Sequence, residues 1–253
     1  MMRFIFFVLL LAVLAACDRE TETIETDLGQ EYFPLQLGRV WEYQVDSIIF
    51  DPEGSGVAMD STRSWIREEI IGLYVDAAGD TIFRTERYVR SDTTDNWQIS
   101  KVLAFNKNIR QAIRTEDNLR FVKMAFPLKK GGRWNGNQYI DQALRVTVAG
   151  EVIHIFKDWQ SEVLDQADTW SNGIRSFDDV ALISHADSEN LIEYRFVQEA
   201  YARHIGLIYA EMRILDTQCQ ACCNANFSQC SNLLWTQKAE KGFIIKQRLI
   251  HWQ

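Results

Sequence analysis

The chain has no excess of positive charge. It holds 27 Lys and Arg against 35 Asp and Glu, a formal net charge of −8. The basic residues are scattered, with no basic stripe beside aromatics, which makes DNA or another polyanion a poor candidate partner. Beyond residue 17 there is no second transmembrane segment, no low-complexity tract and no long linker. Histidine is scarce: His154, His185, His204 and His251 are the only four. None falls in H-E-x-x-H or another short metal pattern, so each is expected to be a surface or strand residue rather than a ligand. "GSG" at 54–56 has no P-loop lysine after it and is a turn. No metal, cofactor or nucleic acid is expected.

The N-terminus holds the one long apolar run. "MMRFIFFVLLLAVLAAC" places Arg3 before an uncharged stretch from Phe4 to Cys17. As a helix it would span roughly 21 Å, short of a bilayer core of about 30 Å. A basic start and a short apolar run are the pattern of a secretory signal. It ends "LAAC", which resembles the bacterial lipobox and implies cleavage before Cys17 and lipidation of that residue. The alternative is an ordinary signal cut near Ala16, with a free thiol at Cys17. Each buried methylene of an attached lipid contributes about 0.8 kcal/mol, so two or more chains anchor stably. Residues 1–16 are thus a lipoprotein signal peptide. Residues 17–31 are the lipidated cysteine and a flexible tether, with six acidic residues among 18–31. Residues 32–253 form the folded domain. Asp18 points to inner-membrane retention in some bacteria, whereas an acidic cluster after the cysteine accompanies surface display in others. The outer membrane is favoured and the leaflet stays open.

Without the 16-residue leader, 237 residues remain, with a net charge of −9. That length allows one or two domains. Nearly half of the residues are hydrophobic, enough for a substantial core.

The other four cysteines crowd into "CQACCNANFSQC", residues 219–230. Export would place Cys219, Cys222, Cys223 and Cys230 in an oxidising compartment as two disulfides. A bond between the neighbours Cys222 and Cys223 needs a strained ring. The expectation is therefore Cys219–Cys222 with Cys223–Cys230, or Cys219–Cys223 with Cys222–Cys230. Zinc is the weaker reading, since a second C-x-x-C and a nearby histidine are missing. A redox pair is weaker too, lacking a following helix to lower a thiol pKa.

From residue 39 onward the pattern has period two, the mark of half-buried strands. "WEYQVD" sets Trp41, Tyr43 and Val45 on one face. Trp97, Ile99, Leu103 and Phe105 share a face, as do Arg120, Val122, Met124 and Phe126. Ile192, Tyr194, Phe196 and Ala200 form another such face, and Ile208, Ala210, Met212 and Ile214 a further one. Turn signals at 51–56, 76–80, 91–96, 106–108, 135–137 and 149–151 separate the runs. The pattern predicts an all-β, mainly antiparallel single domain: a β-sandwich or open half-barrel. Residues 159–176 are ambiguous and could hold one short helix. The cysteine loop joins the last two strands.

"FPLQLGRVW" at 33–41 returns as "FPLKKGGRW" at 126–134 and uses two of the three prolines. Gly38 and Gly131 suit the positive φ of a tight turn, and the tryptophan starts a strand. The simpler expectation is one turn solution used twice; a duplicated ligand site is the alternative.

Three stretches resemble a group of uncharacterised lipoproteins from Bacteroidota: "YFPLQLGRVWEYQVDS" (32–47), "EDNLRFVKMAFPL" (116–128) with "WNGN" (134–137), and "YARHIGLIYAE" (201–211). The resemblance implies a lipid-anchored, mostly β protein and supplies no catalytic residue.

Candidate chemistry is thin. "SHAD" at 184–187 contains Ser, His and Asp, but neighbours on a strand point to opposite faces and form no triad among themselves. Asp178 with Asp179, and Glu68 with Glu69, diverge in the same way. Trp41, Trp65, Trp97 and Trp134 suit a β core. The expectation is a non-enzymatic binding or structural domain, held to the membrane by its N-terminal lipid. Its partner would be an apolar ligand, a glycan or an envelope protein. The alternatives are an envelope hydrolase assembled from distant strands and a thiol–disulfide protein using Cys219 and Cys222.

Overall fold

A computed structural model describes residues 27–54 and 56–253. Twelve strands form one antiparallel sheet. The first six are β1 (Val40–Glu53), β2 (Gly56–Val75), β3 (Thr81–Arg90), β4 (Gln98–Lys107), β5 (Gln111–Glu116) and β6 (Leu119–Ala125). A two-residue strand, β7 (Arg133–Trp134), follows, and a hairpin of β8 (Val146–Val148) and β9 (Glu151–Ile153) lies outside the main sheet. The second series is β10 (Ser161–Ser171), β11 (Ser176–Glu189), β12 (Glu193–Ala202), β13 (Gly206–Asp216) and β14 (Lys241–Trp252). The spatial order is β6-β5-β4-β3-β2-β1-β14-β13-β12-β11-β10-β7.

The all-β antiparallel expectation holds, and the half-barrel is nearer than the sandwich. The sheet coils until its two edges meet. Val122 of β6 donates its amide to Gly136 O at 2.8 Å, and Trp134 Nε1 donates to Val122 O at 2.9 Å. These contacts bring the sheet close to a closed barrel and cover part of the ladder that an open sheet would expose.

The nonapeptide repeat marks two halves. Gly38 N donates to Ile70 O and Ile70 N to Arg39 O; Gly131 N donates to Val163 O and Val163 N to Gly132 O. Trp41 lies opposite Glu68, and Trp134 opposite Ser161. A bulge follows in both halves, between Ile70 and Gly72 and between Val163 and Asp165. β1 to β6 therefore correspond to β7 and β10 to β14. The β1–β14 seam corresponds to the β7–β6 contact, giving the barrel an approximate two-fold relation. Gly38 and Gly131 both take positive φ, 80° and 78°, as the turn requires.

Three departures from the sequence pattern have physical causes. Residues 161–171, left ambiguous with a helix in view, are strand β10. Its bulge after Val163 breaks the alternation and leaves Leu164 exposed. The helices are instead three single turns between β13 and β14: α1 (Gln220–Cys223), α2 (Phe227–Cys230) and α3 (Trp235–Lys238). The folded part also begins before residue 32. Leu128 N donates to Leu28 O, and Arg203 Nη2 reaches Asp27 at 2.7 Å, so residues 27–31 pack against the barrel end. Trp41 is buried and Trp134 packs against the core, but Trp65 and Trp97 are half-buried outside it. Trp97 lies under the Arg90 guanidinium, 4.2 Å from its ring centre.

Candidate functional site

The inward faces of the strands enclose a cavity of about 690 Å³. Trp41, Tyr43 and Val45 of β1 line it, the face that alternation assigns to the core. Phe33 and Leu35 enter from the end where the chain crosses residues 28–35. Val146, Ile155 and Phe156, in and after the β8–β9 hairpin, enter from the other. Most of the wall is apolar and aromatic, and the volume is in the range of ligand pockets.

Two polar clusters interrupt that wall. In the first half, Glu68 of β2 is 2% exposed. Arg87 Nη2 reaches its Oε1 at 2.6 Å and Arg114 Nη2 at 2.9 Å. Both guanidinia also hold Glu116, and Lys101 Nζ joins it at 3.1 Å. Burial pushes the Glu68 and Glu116 carboxyls up, but Arg114 and Arg87 outweigh it and hold both below the usual range. Burial likewise opposes the charge of Arg114, and the two glutamates overcome it, raising its pKa.

In the second half, Glu199 of β12 accepts from Lys123 Nζ and, at 2.6 Å, from the Tyr201 hydroxyl. His185 Nε2 lies 2.9 Å from Glu199 Oε2, and Nδ1 lies 2.8 Å from Ser161 Oγ. Burial alone would raise the Glu199 pKa, but Lys123 and His185 lower it well below the usual range. An ionised Glu199 only accepts, so Nε2 carries the imidazole proton and Nδ1 accepts from Ser161. Burial also lowers the His185 pKa, against the pull of Glu199, which keeps the ring neutral.

This Ser–His–Glu chain has the connectivity of a hydrolase triad but the reverse exposure. Glu199 lines the cavity; His185 lies behind it, between Trp134 and Trp159; Ser161 is fully buried. A Cβ on Gly136 would sit 2.4 Å from Ser161 Oγ, so nothing can approach the nucleophile from that side. A hydrolase needs its serine at the substrate. A carboxylate held this far below its usual pKa is also a weak general base.

The other sequence candidates do not converge. Glu68 points inward while Glu69 binds Arg67, so that pair diverges as expected. Asp179 accepts from Tyr32 and Arg203 at the barrel end, and Asp178 lies near Thr169. His204 and His251 are exposed, and His154 contributes only its carbonyl, to Arg195. The imidazole of His185 hydrogen-bonds Ser161 and Glu199, neither of them from the "SHAD" stretch. Gly54 occupies a positive-φ turn. Cys17 lies outside the described residues.

The cysteine pairing differs from both expected patterns. Cys219 joins Cys230, with Cα atoms 5.8 Å apart, and Cys222 pairs with its neighbour Cys223. The two single-turn helices bring Cys219, just before α1, against Cys230, at the end of α2; both are fully buried. The adjacent pair packs into the same cluster, with Cys223 buried and Cys222 half-buried. Cys222 Sγ remains 3.8 Å from Cys230 Sγ.

No protein-family model matches the chain, and no curated protein does. Among solved structures, the chain is similar to a "putative lipoprotein" from Parabacteroides distasonis ATCC 8503. The alignment has a TM-score of 0.37 and 10% identity, and covers 88% of this chain and 98% of that one.

Proposed function

We propose that this chain is a lipid-anchored protein of the bacterial cell envelope, with the outer membrane favoured. Its barrel would bind an amphipathic small molecule without chemical change. The observation that carries the binding reading is the cavity of about 690 Å³, apolar for most of its wall and crossed by two polar clusters. The anchoring rests on the Arg3 and "LAAC" pattern ahead of Cys17. A hydrolase is the second reading, favoured by the His185–Glu199 contact and opposed by the buried Ser161.

Two measurements test this. Intact mass of the native protein should show a chain starting at Cys17 with acyl groups attached; an uncut leader or an unmodified thiol refutes the anchor. The full-length chain carrying Cys17→Ser removes covalent acyl groups from the question. Organic extraction of that purified protein should release a lipid in near-stoichiometric amount. A clean extract, together with failure to bind a fluorescent acyl reporter, refutes the binding reading.

A further inference from the structure

We infer that the cavity selects uncharged amphiphiles whose heads present hydrogen-bond acceptors, such as acylglycerols or other ester- and hydroxyl-bearing lipids, and that it rejects anionic heads. This deepens the ligand-binding reading and rests on it.

The charge pattern of the wall carries the inference. Five carboxylates line the cavity: Glu68, Glu116, Asp117, Glu199 and Glu211. Among the described residues three cations do: Arg87, Arg114 and Lys123. Each of those cations is already engaged. Arg87 and Arg114 both grip Glu68 and Glu116, and Lys123 grips Glu199. The remaining acidic charge is balanced from outside the cavity lining. Lys101 meets Glu116 and Asp117, while Arg213 and Lys246 meet Glu211. An anionic head would therefore meet cations that are all committed, and would have to displace a buried carboxylate from its partner or sit beside it unpaired. In a low-dielectric interior either outcome is unfavourable.

Donors nevertheless remain for a neutral oxygen. An ammonium has three N–H groups, and among the described residues Glu199 takes one from Lys123. Each guanidinium has five, and the contacts to Glu68 and Glu116 do not use them all. Tyr43 and Tyr201 donate to Leu207 O and Glu199, which leaves their oxygens free to accept from a hydroxyl. The surrounding Phe33, Phe105, Phe121 and Phe156 offer rings to an apolar chain.

The test is a competition experiment on the full-length Cys17→Ser protein at neutral pH, below micellar concentrations. A fluorescent acyl reporter is displaced by a fatty acid, by its methyl ester and by the corresponding monoacylglycerol. The ester and the glyceride should displace it at concentrations at least about tenfold below the carboxylate, a difference of about 1.4 kcal/mol. Replacing the buried pair together, Lys123→Met with Glu199→Gln, should shrink that advantage while the far-UV spectrum stays native. A carboxylate that competes as well as its ester overturns the selectivity and leaves ligand binding standing. A reporter that does not bind at all overturns the binding reading with it. An undiminished advantage in the folded double variant removes Lys123 as the donor.

Discussion

The two halves of the barrel share a backbone plan and differ in what they bury. At equivalent positions opposite the repeated tryptophan stand Glu68 and Ser161. On the strand paired next to each stand Arg87, opposite Glu68, and His185, which hydrogen-bonds Ser161. The first half thus carries an ion network. The second carries a hydrogen-bonded chain with a neutral imidazole at its centre, completed by Lys123 from the first half. The second half also takes both insertions, the β8–β9 hairpin and the cysteine helices. Turn geometry and register match between the halves, and a one-residue slip in either would turn every side chain over. The interior side chains carry no such constraint, and there the two halves differ.

Breaking the two clusters at equivalent positions should cost unequal amounts. Glu68→Ala leaves two buried guanidinia with Glu116 as the one carboxylate between them and should destabilise by about 3–5 kcal/mol. Ser161→Ala removes one donor and leaves an imidazole nitrogen unsatisfied, a cost of about 1–3 kcal/mol. Urea unfolding midpoints of the two variants measure the contrast. Equal losses would mean that the ion network contributes no more than the neutral chain.

Acid should separate the halves as well. His185 has its pKa lowered on folding from 6.5, so its stabilisation is complete above that value and declines as pH falls toward the folded value. Glu68, Glu116 and Glu199 are lowered from 4.5, so their contribution is intact until pH falls below about that value. Ser161, Glu199 and Lys123 surround the imidazole, and Glu199, held well below its usual range, keeps its charge across the upper window. Stability should therefore begin to fall between about pH 7.5 and 5.5 through His185 alone among these groups. His185→Gln should flatten that part of the profile and leave the loss at lower pH in place. A profile that is unchanged by the substitution would assign the upper window to another group.

The same asymmetry explains what could be read from the sequence. Strand β1 was legible: Trp41, Tyr43 and Val45 alternate cleanly and line the cavity. The turn glycines were legible because the nonapeptide repeats. The polar clusters were not. In β12 the large aromatics Tyr194 and Phe196 draw the core assignment, yet the cavity face is Val197, Glu199 and Tyr201. Tyr194 instead stacks outside on Trp235, ring centres 5.6 Å apart. In β6 strict alternation puts Leu119, Phe121 and Lys123 on one face, and that face lines the cavity, not the Val122 and Met124 face that looked like the core side. In β4 the pairing skips Ser100, which leaves Ile99 60% exposed while Leu103 and Phe105 stay buried. Bulges change the phase of a strand without a mark in its composition. A buried Glu or Lys looks like surface until its partner on another strand is known.

The smallest effect tests whether the halves are the same in their framework. Gly38 and Gly131 have φ of 80° and 78°, and a Cβ built on either meets nothing within 4 Å. An alanine there is penalised by backbone conformation alone, about 1–2 kcal/mol, offset slightly by a stiffer unfolded chain. Gly38→Ala and Gly131→Ala should therefore lower the unfolding midpoint by nearly the same amount, and the double variant by their sum, since the two turns share no contacts. Neither should change ligand selectivity, because neither residue lines the cavity. Unequal losses would show that the two turns bear different loads, and that the correspondence between the halves is one of topology without equal energetics.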